Sequence, residues 1–253
     1  LKSIEEPPER TVWLLCAPSP EDVIVTIRSR CRHVGLRIPA PEAVADLLVR
    51  RDGVDPARAL EAARAAQSHV GIARRLATRA DARERRRTLL SIPTQIRGVG
   101  DAVIEAARLV ESAEEEAASV AAERDEAERA ELLRALGAEE GGTLPPALRA
   151  QVRALEENQK RRATRVQRDS LDRAMVDLLS FYRDVAVIQL QAGVPLVNGD
   201  MEGEIRELAE RSTAVQTLRR MDAIGEARGR LDGNVSAILA VEAMLLALRP
   251  QSA

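Results

Sequence analysis

Hydrophobic and polar positions divide the chain into three kinds of text. Residues 11–17, Thr-Val-Trp-Leu-Leu-Cys-Ala, form one continuous apolar run bounded by Pro7-Pro8 and Pro18. Such a run predicts a strand buried on both faces, as in a parallel α/β sheet. Residues 1–6 read as the last turns of a helix, stopped by the two prolines. Ser19-Pro20-Glu21-Asp22 reads as N-cap, proline and first-turn acids of a short helix through Ile27. A further strand is expected over 33–37, and Ile38-Pro39-Ala40-Pro41 marks a boundary. From Glu42 to about Ser91 the spacing is helical throughout. Val44, Leu47 and Leu48 share a face, and Asp55-Pro56 opens a second helix. A third helix begins near Ser68, a fourth runs through Arg83–Arg87, and Ser91-Ile92-Pro93 breaks the pattern.

The remainder predicts an αα-hairpin followed by two helices. Residues 99–136 are rich in Ala, Glu and Arg, with Val103, Leu109, Val110, Leu132 and Leu133 as the large apolar positions. Asp125–Arg129 and Glu131–Arg134 sit at helical pair spacing, so a solvated, ion-paired helix is expected. Residues 137–146 are a turn. Residues 147–191 form the second arm, basic over 160–168 and apolar over 175–190. Its basic run could touch nucleic-acid phosphates or face the acidic first arm, and the second reading is preferred. After a loop over 193–200, helices are expected over about 202–226 and 231–248. Ile238, Val241, Met244, Leu245 and Leu248 form one stripe of the last.

Composition narrows the function classes. Trp13, Phe181 and Tyr182 are the only aromatic residues, which argues against a base-stacking platform. A net charge of −2 supplies no global basic field for nucleic acid. Cys16 and Cys31 are the only cysteines, which suits a reducing, cytoplasmic compartment and two small buried hydrophobes. Zinc has little support, because Cys31 and His33 lack a second ligand pair. His69, near a helix start, is expected at the surface. The apolar run 237–248 is too short to span a bilayer and is interrupted by Glu242. The chain opens Leu-Lys-Ser rather than with Met, which reads as a piece trimmed of its N-terminal part.

The candidate chemistry lies in Thr26-Ile27-Arg28-Ser29-Arg30-Cys31-Arg32. Arg30 stands at an element boundary, and its planar fork matches phosphate oxygens bidentately. An arginine pointing off its own domain could reach a nucleotide held by a neighbour. That is the geometry of an arginine finger acting in trans.

Together with Lys2-Ser3-Ile4-Glu5-Glu6-Pro7-Pro8, the apolar run and Pro20, this stretch resembles the end of the ATPase-type domain of bacterial DNA polymerase III clamp-loader subunits, in the AAA+ superfamily. Ser29-Arg30-Cys31 matches their shared triplet, and the flanking Arg28 and Arg32 resemble the delta-prime type. The resemblance implies a mainly α chain in three parts. Residues 1–38 would be the end of an AAA+ α/β domain and 39–95 a helical lid. Residues 96–253 would be an all-helical collar with the hairpin 99–190. It implies a stator without catalysis of its own, in a five-membered ring within the polymerase holoenzyme. Arg30 would be the finger, with Ser29 and Cys31 as its motif neighbours. No cofactor would bind to this chain, ATP and magnesium being held by the adjacent subunit. Partners would be gamma/tau and delta subunits and, through the complex, the sliding clamp and primer-template DNA. No membrane contact is expected.

Two departures from ATPase relatives fit that reading: Ala17-Pro18 stand where a hydroxyl residue usually follows the strand, and Gly71 where the lid usually carries a sensing arginine. Arg74 and Arg75 lie one turn later. Two alternatives remain open from the residues, the tail of a hydrolysing gamma/tau-type subunit and a helical scaffold unrelated to replication. The latter leaves the first 32 residues unexplained.

Overall fold

The computed structural model describes residues 4, 6, 8–17, 20–135, 146–233 and 235–250. The helix expected at the N-terminus and the hairpin turn lie almost wholly outside the described residues. The chain forms two compact units, Leu1–Ala40 and Pro41–Ala253. The described residues are mainly α-helical and contain no strand.

In the first unit, a 3-10 turn at Pro20–Asp22 and a one-turn helix α1, Val25–Arg28, replace the single short helix expected there. The two expected strands are not formed. Residues 11–17 and 33–37 have no regular structure, and Val12, Leu14 and Leu36 are at least 83% exposed. A strand exists through ladder hydrogen bonds to a neighbour, and no other described segment supplies one. Cys16 and Cys31 are likewise exposed rather than buried.

The second unit is built from nine α-helices among its described residues: α2 Pro41–Asp52, α3 Pro56–Ala65, α4 Val70–Thr78, α5 Ala80–Gln95, α6 Val99–Ala135, α7 Pro146–Gln189, α8 Glu202–Glu210, α9 Ala214–Asp232 and α10 Ala237–Leu248. Local signals set several boundaries. The Asp55 carboxylate accepts from Arg58 N–H, with Pro56 at the first position of α3. The exposed His69 caps α4, its Nδ1 accepting from Ile72 N–H at 3.3 Å. Thr213 and Gln216 form a capping box that starts α9, so the region expected as one helix over 202–226 is two.

Pro93 does not end α5. The helix runs two residues beyond it, with Pro93 buried in the core. The Ser91 and Thr94 hydroxyls donate to the carbonyls of Thr88 and Ser91, in the turns on either side of it.

Three apolar clusters result, the smallest of them Leu90, Phe181, Val185, Met201, Ile205 and Ala209, where α5, α7 and α8 meet. Helices α2, α3 and α4 close around Val44, Leu48, Leu76 and a set of alanines, with Ala82 from the start of α5. The larger core joins the end of α5, both hairpin arms, α9 and α10 around Leu171, Met175, Leu178, Tyr182, Ile224, Met244 and Leu245. The face that α6 turns inward is Ala102, Ala106, Val110, Ala113 and Ala117, spaced four, four, three and four residues apart. Small residues at that spacing let two long helices approach closely. Val103 and Ile104, by contrast, are at least 40% exposed. No described helix is long and apolar enough to cross a membrane.

Candidate functional site

The arginine-bearing turn is set by α1. Ser29 caps the helix with its N–H on Val25 carbonyl, and Arg30 N–H follows onto Ile27 carbonyl at 3.0 Å. The Thr26 carbonyl accepts twice, from Ser29 Oγ at 3.2 Å and from Arg30 Nη1 at 2.9 Å. Arg28 Nη1 donates to Pro20 carbonyl at 3.3 Å and so ties the turn to the preceding 3-10 segment. Ser29, Arg30 and Cys31 are all exposed. The turn therefore presents a permanently charged guanidinium on the surface of its own unit, braced at its base by a neighbouring carbonyl.

Arg74 and Arg75 diverge. Arg74 Nε pairs with Asp52 at 3.0 Å and binds α4 to α2, whereas Arg75 Nη1 reaches Glu116 on α6 at 2.7 Å. Among the described residues no group of three or more His, Cys, Asp or Glu could hold a metal.

The second unit also carries buried polar groups that periodicity did not single out. Asp184, on α7, is fully buried and accepts from Val197 N–H, Asn198 N–H, Asn198 Nδ2 and Arg183 Nη1, at 2.7–3.0 Å. Asn198 Oδ1 in turn accepts from Arg86 Nη2 at 2.5 Å, and Arg86 Nε donates to Asp177 at 2.9 Å. Burial pushes the Asp177 carboxyl upward, against the charge and hydrogen bond of Arg86, which pull it down. The sequence signal was two aspartates seven residues apart inside an apolar run, which puts both near one face of α7.

A cleft of about 360 Å³ opens between α3–α5 and the hairpin, lined by Leu76, Arg86, Leu109, Glu116, Arg173 and Asp177 among others. Glu116 receives Arg75 Nη1 on one oxygen and Ser170 Oγ, at 2.5 Å, on the other, with Arg173 Nη2 at 3.8 Å. Burial raises its carboxyl, but the bonds from Ser170 and Arg75 and the charges of Arg75 and Arg173 outweigh this and hold it below the usual range.

Further along the hairpin, Arg162 on α7 bonds Asp125 and Glu128 on α6 at 2.6 Å each, and Gln167 bonds Glu114 at 2.9 Å. Part of the basic run thus faces the acidic arm. Asp125 pairs across the hairpin rather than with Arg129, which lies 3.8 Å from Glu156.

Two comparisons bear on the family. Residues 1–40 match the family model described as DNA polymerase III, delta subunit. Over 50 residues the chain is 42% identical to the DNA polymerase III subunits gamma/tau of Mycobacterium bovis (strain ATCC BAA-935 / AF2122/97) and Mycobacterium tuberculosis (strain ATCC 25618 / H37Rv). That match covers 20% of this chain and 9% of each relative. Both findings support the clamp-loader resemblance, and neither separates a delta-prime-type subunit from gamma/tau.

Proposed function

We propose that this chain is a DNA polymerase III clamp-loader subunit of the delta-prime type, a stator that supplies Arg30 to ATP bound by a neighbouring subunit. The observation that carries the reading is Ser29-Arg30-Cys31 on an exposed turn, inside the stretch that matches the family model.

In this reading the guanidinium meets the γ-phosphate of the neighbour's ATP and stabilises the charge that spreads over it in the transition state. The magnesium and the phosphate loop belong to that neighbour. Ser29 and Cys31 set the backbone of the turn, and the Thr26 carbonyl orients the fork until phosphate replaces it. Gamma/tau and delta subunits, the sliding clamp and primer-template DNA are the partners this role requires.

The names of the curated relatives favour a second reading, a gamma/tau-type subunit that hydrolyses ATP itself. A Gly-x-x-x-x-Gly-Lys-Ser/Thr loop in any segment that precedes these residues would favour that reading.

The test is DNA-stimulated ATP turnover of a loader reconstituted with the full-length protein or its Arg30→Ala variant, with assembly followed by size-exclusion chromatography. A finger acting in trans is worth about 10³–10⁵ in rate in well-studied systems. A fall of tenfold or more, about 1.4 kcal/mol of barrier, in an intact ring is expected. Unchanged turnover in an intact ring defeats the proposal.

A further inference from the structure

We propose that the α2–α4 bundle is a hinged body, held against the hairpin by a polar latch whose keeper is Glu116. The inference concerns the second unit alone and does not rest on the reading of Arg30.

The bundle has an apolar core of its own, and none of the residues that build it or pack on it belongs to the larger core. Its link to the rest of the unit is α5, whose first turn gives Ala82 to the bundle while Leu89, Ile92 and Ile96 pack with the larger core. Arg79 alone separates α4 from α5 and caps both. Arg83 Nη1 closes the end of α4, donating to Leu76 and Ala77 carbonyls at 2.8 and 3.3 Å. Arg79, Ala82 and Arg83 therefore move with the bundle, and its change of direction against the larger core falls on the turn of α5 between Arg83 and Leu89.

Clefts flank this shaft on two sides. One, of about 360 Å³, separates Ala65, Ala66 and Leu76 from Leu109, Ala113 and Leu171. The other, of about 250 Å³, separates Arg58 and Glu61 from Leu196, Val197 and Asp200. Across the first cleft runs the Arg75–Glu116 bond at 2.7 Å. Ser170 and Arg173 hold the same carboxylate to α7. Release of Arg75 therefore leaves Glu116 seated on the hairpin and ready to re-engage. Arg86, bonded to Asp177 and Asn198, fixes α5 to α7 within that turn. A bundle anchored by apolar packing would be indifferent to these charges. One held by an ion pair across a cleft open to water responds to charge removal and to salt.

The experiment is a pulsed dipolar measurement between spin labels at Ala57→Cys on α3 and Asp222→Cys on α9. Both positions are exposed, and Cys16 and Cys31 are replaced by Ser. The parent should give one narrow distance. Glu116→Gln and Arg75→Gln should each add a second, resolved population, whereas Glu111→Gln, exposed on the same helix, should not. Raising NaCl from 0.1 to 1 M, which shortens the screening length from about 10 Å to about 3 Å, should populate the same second distance in the parent. Parent-like distributions in Glu116→Gln and Arg75→Gln at unchanged helicity would overturn the latch. If neither variant folds, the salt series decides, and a distribution unchanged at 1 M overturns it.

Discussion

At the scale of single residues, the buried polar groups of α7 make opposite demands on stability. Asp184 satisfies two backbone N–H groups of the loop that leads to α8. Asp184→Ala strands both, and leaving a buried donor unsatisfied costs about 1–3 kcal/mol each. The expected outcome is a loss of ~3 kcal/mol in urea unfolding, with faster exchange of the Val197 and Asn198 amides. Tyr182 is the reverse case. Its hydroxyl is buried without a hydrogen-bond partner, and the Arg220 guanidinium carbon lies 6.0 Å from its ring centroid. Burial raises its phenol well above the usual range, although Arg220 pulls the other way. Tyr182→Phe removes an unsatisfied group and keeps the ring, so stability should be unchanged or higher by ~1 kcal/mol. A measured loss above about 1 kcal/mol would mean that the hydroxyl has a partner.

At the scale of elements, the hairpin joins a small-residue seam to charged pairs, and each is open to measurement. Ala106 is fully buried on the inward face of α6, and Ala106→Leu should overpack the seam at a cost of about 1–3 kcal/mol, read as a lower melting temperature. Towards the hairpin tip, Arg162 and then Arg124 hold the Glu128 carboxyl down to about 2, from an ordinary value of 4.5. The folded state therefore binds its proton later than the unfolded chain does. The pair's contribution is full above pH 4.5 and lost as pH falls towards 2. Arg162→Gln should flatten that acid limb in a pH series of unfolding midpoints, and an acid limb identical to the parent's would refute the assignment.

The same seam shows what periodicity could and could not read. Helical spacing of Val44, Leu47 and Leu48 locates α2, Asp55-Pro56 the start of α3, and charged pairs at helical spacing the long α6. It did not identify the inward face of α6, since that face is alanine, which is common on every side of the helix. Proline was given too much weight at Pro93, where only the last turn depended on it. The capping box at Thr213 was readable in the sequence but hidden within a run of good helix formers. Arg30 was singled out by its neighbours in sequence. Glu116 was not, because a carboxylate becomes a latch only when two other helices bring Arg75 and Ser170 to it.

At the scale of the whole second unit, the difference between the two cores sets the order in which it opens. The bundle buries three large aliphatic side chains, Val44, Leu48 and Leu76, among eight alanines. The larger core buries Leu171, Met175, Leu178, Tyr182, Ile224, Met244 and Leu245, with Ile92, Ile96, Leu231, Val241 and Leu248 besides. Apolar burial contributes about 25 cal/mol per Å², so an alanine-built core has much less to lose before it opens. Polar links within the bundle, Arg74 to Asp52 and Arg83 to the end of α4, add direction more than energy, because the first lies at the surface. Native-state hydrogen exchange should therefore show α2–α4 amides opening as one group, at least ~1.4 kcal/mol (tenfold) below the amides of α7, α9 and α10. Equal protection across the unit would mean that the two cores unfold as one, with α5 acting as a rigid strut. Lower protection in the bundle that Glu116→Gln reduces further, with α9 and α10 unaffected, would tie this early opening to the latch rather than to the alanine core alone.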